Sequence, residues 1–348
     1  MKHLHNRVNG KALKEKLKND PTKRVTLSFY QYAHIGNPGL FRDHFYIMLE
    51  PLGVLGRIYV ASEGVNAQIS VPEVNFEKFK GKLREIVFLD NVRLNLAIED
   101  DSKSFFKLKI KTKNKIVADG LEDDSFDVTD KGIHLDAESF NKLTDQPDTI
   151  IVDMRNHYES EVGYFEKAIT PDVDTFREAL GTVEEQLKDK KDFPIVMYCT
   201  GGIRCEKASA YYKHKGFKHV YQLEGGIIEY ARQIKAKGLK NKFRGKNFVF
   251  DERLGERISG EIISQCHQCG KPCDSHTNCL NEGCHLLFIQ CHECAEKYKG
   301  CCSEACRQVA ELPEESKKVL RKGINKGQQI YSKGRSEKLI YKKQRLKA

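Results

Sequence analysis

A multidomain chain is what the sequence predicts: an α+β module, then a Rossmann-like α/β domain, then a zinc-binding cysteine module ending in a basic tail. Three observations carry this reading. Strand and helix patterns follow the order β-α-β-β-α-β over the first 115 residues, and short apolar strands alternate with helices from 133 to 242. Ten of the twelve cysteines crowd into the 41 residues from Cys266 to Cys306. A length of 348 residues suits two or three domains.

Residues 1–20 read as a polar arm, and the α+β module spans 21–115. Val25–Gln31 (VTLSFYQ) alternates apolar and polar side chains, as a half-buried strand does. From Pro38 to about Pro51, Leu40, Phe41, His44, Phe45 and Met48 recur at three- and four-residue spacing, which predicts a helix. The runs GRIYVA (56–61) and VNAQISV (65–71) flank the turn-forming Ser62-Glu63-Gly64 and predict a hairpin. An amphipathic helix over 76–86 and the alternating segments NVRLNLAIE and FFKLKIKTK complete a ferredoxin-like or acylphosphatase-like pattern. Such a fold hosts many functions and fixes no chemistry by itself.

Residues 116–132, acidic and poor in apolar side chains (DGLEDDSFD), read as a linker. In the α/β domain, 133–242, the apolar run Ile150–Val152 is followed by a helix over 174–190 and a buried strand, Pro194–Tyr198. A tight loop from Cys199 to Arg204, a helix over 206–214 and a strand at His219–Leu223 come next. Apolar strands alternating with helices imply a parallel sheet covered on both faces. The cysteine module spans 243–312 and the tail 313–348.

Charge and hydropathy exclude some functions. No apolar run approaches the ~18 residues that cross a bilayer, so a membrane protein is excluded. The opening twenty residues are too polar for a signal peptide, which predicts a cytoplasmic protein. The net charge of +10 belongs to the tail: from Lys317 onward there are 12 Lys or Arg against Glu337 alone, leaving 47 basic and 48 acidic residues before it. Few apolar groups accompany that charge, so the tail is expected to be disordered when free.

The segment VMYCTGGIRCEKASAYY sets Cys199 between a buried strand and a helix. The backbone N–H groups of Thr200, Gly201, Gly202 and Ile203 can converge there with the positive end of the helix, lowering the thiol pKa below about 8.5. Arg204 adds charge or holds the loop closed. A cysteine phosphatase places its Arg six positions after the Cys; here Arg204 stands at plus five, so the loop has the wrong length for that cradle. Cys205 is either a thiol able to resolve an oxidised Cys199 as a disulfide or a buried helix cysteine. Asp153, Arg155, His157 and Glu159 read first as structural residues at a strand end.

These motifs bring resemblances. The Cys199 loop, IVDMRNHYE (151–159) and QLEGGI (222–227) resemble the rhodanese domain, whose cysteine carries a persulfide. CTGGIRCEKAS, EGVNAQISV (63–71), GKNFVFDERLGERIS, CDSHTNC and CHLLFIQC together resemble the bacterial tRNA uridine(34) hydroxylase family across nearly the whole chain. The resemblance implies a monooxygenase-type oxidoreductase that converts the wobble uridine of tRNA to 5-hydroxyuridine with molecular oxygen. It implies the tRNA anticodon loop as partner and Cys199 as nucleophile or redox centre, and it names no redox cofactor. The alternative is a sulfurtransferase forming a persulfide on Cys199.

In the cysteine block, Cys266-His-Gln-Cys269 and Cys291-His-Glu-Cys294 are two C-x-x-C knuckles among Cys273, Cys279, Cys284, Cys301, Cys302 and Cys306. Such pairs present thiolates to one tetrahedral ion, so two structural zinc ions with two cysteines left over are expected. His267, His276, His285 or His292 could replace some thiolates, an iron-sulfur cluster is the rival, and pairing does not follow from order. The basic tail with Tyr331 and Tyr341 suits RNA contact, with Lys317, Lys318, Arg321 and Lys322 as candidate phosphate ligands.

Overall fold

The computed structural model describes residues 10–121, 126–322, 333–339 and 341. Helix α1 (Gly10–Lys18) precedes β1 (Arg24–Tyr32), α2 (Pro38–Leu49), β2 (Leu55–Ala61), β3 (Gly64–Pro72), α3 (Phe76–Arg84), β4 (Asn95–Leu96) and β5 (Leu108–Thr112). The sheet runs β4-β1-β3-β2-β5, a ferredoxin-like order with β5 added in parallel beside β2. Asn37 starts α2 by accepting a hydrogen bond from the Leu40 N–H at 2.9 Å, with Pro38 in the first turn. Only glycine fits at 64, where a Cβ would lie 2.1 Å from the Gln31 carbonyl oxygen.

Period-two alternation divides this sheet into two faces. Leu27, Phe29, Ile58, Val60, Ala67 and Ile69 pack under Phe45, Leu49, Phe79 and Leu83 of α2 and α3. Their neighbours, Ser28 and Tyr30 on β1, Arg57 and Tyr59 on β2, and Asn66 and Gln68 on β3, therefore face the other way, toward the second domain.

That domain comprises β6 (Ile133–Leu135), α4 (Ala137–Thr144), β7 (Ile150–Asp153), α5 (His157–Ser160), β8 (Gly163–Phe165), α6 (Phe176–Leu187), β9 (Pro194–Tyr198), α7 (Ile203–His214), β10 (His219–Leu223) and α8 (Gly226–Lys237). Its sheet, β6-β10-β9-β7, is parallel throughout. Ile195, Met197 and Cys199 fall on the side covered by α6 and α7, whereas Val196 and Tyr198 meet Phe140, Ile227 and Tyr230 of α4 and α8. Both faces are buried, as the continuous apolar run PIVMY requires.

The remaining elements are β11 (Phe243–Asn247), β12 (Glu256–Arg257), β13 (His276–Asn278), β14 (Leu287–Ile289), α9 (His292–Lys297), α10 (Glu304–Glu311) and α11 (Glu314–Arg321). β11 pairs with both β8 and β12, which ties this segment to the α/β domain.

Three expectations need correction. NVRLNLAIE yields only the two-residue β4: the Ala97 N–H still reaches the Thr26 carbonyl at 2.9 Å, but the Ile98 N–H turns away to Glu256 Oε1 at 3.1 Å. The linker is pinned at points: among its described residues Ile116 and Asp119 are buried, with the Asp119 carboxylate on Lys207 at 2.6 Å, whereas Ala118, Gly120, Asp127 and Thr129 are exposed. The tail is not without structure either. It holds α11, buries Leu339 against the cysteine-lined core, and sets the Tyr341 hydroxyl 3.1 Å from Gln265 Oε1. Such single anchors are what overall composition does not register; residues 122–125, 323–332, 340 and 342–348 lie outside the described residues. Tyr331 lies outside the described residues.

Candidate active site and metal centres

Strand β9 ends at Tyr198 and α7 begins at Ile203, so the intervening backbone must reverse within four residues. Gly202 takes φ 97° as the helix cap, and its N–H donates to Cys199 Sγ at 3.1 Å. From the other side, the Ile227 and Ile228 N–H groups donate to the Cys199 and Thr200 carbonyls at 3.0 and 3.2 Å. Gly226 permits that approach, since a Cβ there would stand 2.4 Å from the Cys199 carbonyl oxygen. The QLEGGI segment thus clamps the loop.

Burial pushes the Cys199 thiol up, but a hydrogen bond from Cys205, the Arg204 charge and the Arg204 and Gly202 N–H groups outweigh it, and the pKa falls to about 6. The same burial and the neighbouring thiolate push Cys205 well above the ordinary thiol value. The loop therefore favours the thiolate at Cys199, beside a Cys205 that is held as the thiol. Arg204 forks onto Glu159 at 2.7 and 2.8 Å, with Glu159 fully buried. Burial alone would raise the carboxyl; Arg204 reverses this and holds it below the ordinary range.

The open sheet face of the N-terminal module closes over this loop. The Tyr30 hydroxyl donates to Glu206 Oε1 at 3.0 Å, and Asn95 Nδ2 donates to the Gly201 carbonyl at 3.3 Å. Between the two domains lies a cavity of about 410 Å³, lined by Cys199, Thr200, Gly201, Ile203 and Arg204 on one side. Its opposite wall carries Tyr30, Arg57, Asn66, Gln68 and Asn95, and Phe105, Phe250 and Lys333 close the end. Lys333 reaches the Tyr158 hydroxyl at 2.7 Å, so the tail contributes to the wall. Apolar faces with a few amides and cations suit a planar polar ligand.

The cysteine block resolves into two sets of four. Cys266, Cys269, Cys291 and Cys294 form one group and Cys279, Cys284, Cys302 and Cys306 the other, each with its sulfurs within 4.8 Å of one another. Pairs alternate along the chain between the groups. Sulfur separations of 3.6 and 3.7 Å, for Cys269–Cys291 and Cys284–Cys302, match the ~3.8 Å edge of a tetrahedron with ~2.3 Å metal–sulfur bonds. The residues fit a closed metal site of four thiolates, and all twelve cysteines are free of disulfides.

Sequence-predicted residues scatter unequally. Cys199, Thr200, Gly201, Ile203 and Arg204 line the cavity, with Gly202 and Cys205 directly behind them. Cys273 and Cys301, named among the metal ligands, fall outside both groups because the tetrahedra are already complete. His267 instead holds Glu161 at 2.9 Å, so no histidine is needed as a ligand. Of the tail cations, Lys317 pairs with Glu314 and Arg321 with Glu282, whereas Lys318 and Lys322 are exposed. Sequence reasoning missed Tyr30, Asn95, Phe250 and Lys333, and it ranked Glu159 as merely structural. Only Glu159 left a signal, as a carboxylate in the strand-end motif.

Family models match the three parts in turn: a UPF0176 acylphosphatase-like domain over 24–116, a rhodanese-like domain over 136–233 and a rhodanase C-terminal segment over 244–307. A solved protein, Alr3790 from Anabaena sp., is 22% identical over 32% of this chain and 91% of its own, with a TM-score of 0.26. The tRNA uridine(34) hydroxylase of Photorhabdus laumondii is 56% identical over 95% of both chains. That of Pectobacterium carotovorum is 56% identical over 95% of this chain and 94% of its own. Likeness over so much of the sequence takes in the α+β module, the thiol-loop domain and the cysteine module together, and the chain belongs to the tRNA uridine(34) hydroxylase family.

Proposed function

We propose that this protein hydroxylates uridine 34 of tRNA at C5 with molecular oxygen, using Cys199 in the cavity between its first two domains. The observation that carries the reading is the 56% identity to named tRNA uridine(34) hydroxylases over 95% of the chain. A base in an unpaired anticodon loop can leave its stack at little cost, and amide side chains such as Asn66, Gln68 and Asn95 can read its polar edge. Cys199 has no exposed surface, so the cavity widens over the loop as the base enters.

In the overall change a C5–H bond becomes C5–OH. One oxygen atom of O2 enters the base and the other leaves as water, which takes up two electrons and two protons. The Cys199 thiolate and the Cys205 thiol closing to a disulfide release two electrons and one proton and solvent supplies the second proton, so one turnover balances, and an external thiol then restores the pair. The mutual influence of the two sulfurs, with Cys205 lowering the Cys199 pKa and the Cys199 charge raising that of Cys205, supports that role for Cys205. Arg204, fixed by Glu159, acts as a positioning residue for the loop. Zinc is the proposed occupant of the two four-cysteine groups, where it would hold the C-terminal module together. No described helix is long and apolar enough to cross a membrane, and a tRNA substrate supports a cytoplasmic location. Lys317, Lys318, Arg321 and Lys322 are proposed to assist RNA attachment.

The test is nucleoside mass spectrometry of unmodified tRNA incubated with the reduced protein in air and under argon, with Cys199→Ala alongside. 5-Hydroxyuridine is expected only in air and only with Cys199 present. Product under argon would remove O2 as the oxygen source, and product from Cys199→Ala would remove the loop from the chemistry. The rhodanese-like match supports a second reading, sulfur transfer. A stable gain of one sulfur at Cys199 after thiosulfate treatment, with no hydroxylated product, would favour it.

A further inference from the structure

Strand β5 forms one edge of the N-terminal sheet. Leu108 and Ile110 point into the core, so Lys107, Lys109, Lys111 and Lys113 point to the opposite face, spaced ~6.6 Å apart along the strand. In register with them on β2, Arg57 sits beside Lys109 and Tyr59 beside Lys111. This is the same sheet face that closes over Cys199.

A second cavity, of about 540 Å³, opens there and is lined by Phe106, Lys107, Lys109, Phe248 and His285 among others. It shares Arg57, Phe105, Phe250, Asp251 and Lys333 with the Cys199 cavity, so the two are continuous. The acids on its wall are already taken: Asp251 by Arg253 at 2.5 Å and Glu252 by Lys14 at 2.7 Å. Among the described residues no acid pairs with any of the four lysines. Burial, then the charges of Lys111 and Lys107, holds Lys109 below the usual lysine range, which marks positive charge without a counterion. Lys107 also lies 5.7 Å from the Phe106 ring centre.

We propose that the lysine stripe and the second cavity form the bed for the RNA strand flanking the modified base. Phosphates lie over Lys107, Lys109 and Lys111, and one neighbouring base enters the second cavity against Phe106. A row of cations beside aromatic rings is what a single strand requires, because charge follows the backbone and any base can stack. The proposal rests on the hydroxylase reading and names a surface in the N-terminal module, to which the basic tail adds Lys333 at the cavity wall.

The experiment measures binding of an anticodon stem-loop RNA with uridine at position 34 by fluorescence anisotropy, between ~50 and ~200 mM salt. The variant K107A/K109A/K111A is compared with K78A/K80A/K82A, which removes the same charge from α3 on the opposite side of the sheet. The stripe variant should flatten the log–log salt slope by about 2 and weaken binding by about 10- to 100-fold. The α3 variant should stay near wild type. Phe106→Ala should weaken binding while leaving the salt slope unchanged. Equal losses in both lysine variants, or no change in the stripe variant with its melting temperature preserved, would overturn the stripe. If the wild-type protein itself neither binds nor modifies this RNA, the hydroxylase reading fails instead.

Discussion

Cys199 and the ten clustered cysteines are one residue type put to opposite uses. In the loop a single thiolate is stabilised by backbone N–H groups, one neighbouring thiol and a nearby guanidinium, at the wall of a cavity and, among the described residues, with no metal-binding set of sulfurs around it. In each four-cysteine group the sulfurs face one another at tetrahedral spacing and leave no open position for a substrate. What differs is the number of sulfurs that the fold brings within reach, and that number decides between reactivity and structure.

Metal removal should produce the largest effect. A structural metal ion in a four-thiolate site contributes on the order of 10 kcal/mol to folding, so, with such ions in these groups, a chelator should unfold the C-terminal module while the β6-β10-β9-β7 sheet persists. The two groups should not empty together. Cys269 is exposed and Cys291 partly so, whereas Cys279, Cys284, Cys302 and Cys306 are all buried. Biphasic release, with Cys269→Ser abolishing the fast phase, is expected in a colorimetric metal assay. Simultaneous release would show that the groups form one cooperative unit.

Cys199→Ala should come next. It should lower hydroxylation by about 1000-fold or more, equivalent to roughly 4 kcal/mol, while shifting stability by on the order of 1 kcal/mol. A comparable change in any one ligand of the four-cysteine groups should reverse that pattern, with metal and stability lost first. Activity assays paired with thermal melts read both. If Cys199→Ala destabilised as much as Cys279→Ser, the contrast between a reactive and a structural sulfur would collapse.

Contiguity in sequence explains what was legible. The Cys199 loop stood out because strand, nucleophile, glycines and helix occupy one short segment, and the parallel sheet followed from apolar runs such as PIVMY. The two four-sulfur groups were countable, yet their alternating pairing was not, since spacing alone does not say which knuckle crosses to which. Glu159 lies 45 residues before the Arg204 it holds, and Tyr30 lies 176 residues before its partner Glu206. Such partners are chosen by tertiary packing, within the α/β domain for Glu159 and between domains for Tyr30, on which local patterns are silent. Asp119, buried on Lys207 in a stretch that reads as linker, fails for the same reason.

Glu159→Gln should have a smaller effect. The amide keeps the shape of the helix cap but leaves the buried Arg204 charge without its counterion, a loss of about 3 kcal/mol by denaturant titration. Activity should fall with it, because Arg204 would no longer be fixed beside the thiol loop. A variant equal to wild type in stability and rate would reduce the pair to packing.

The smallest effect bears most directly on why Cys199 differs from the clustered sulfurs. With its pKa near 6, the thiolate should persist above that pH and disappear as the pH falls through it. The ultraviolet thiolate absorbance of wild type minus Cys199→Ala should therefore titrate with a midpoint of about 6, while the clustered sulfurs, common to both proteins, cancel in the difference. Cys205 stabilises the charged form by donating a hydrogen bond, so Cys205→Ala should move the midpoint upward, cutting the thiolate fraction at pH 6 by less than about tenfold. An unchanged midpoint would assign the depression to Arg204 and the loop N–H groups alone. A downward shift would mean that Cys205 opposes the thiolate, and the two sulfurs could not then work as donor and nucleophile.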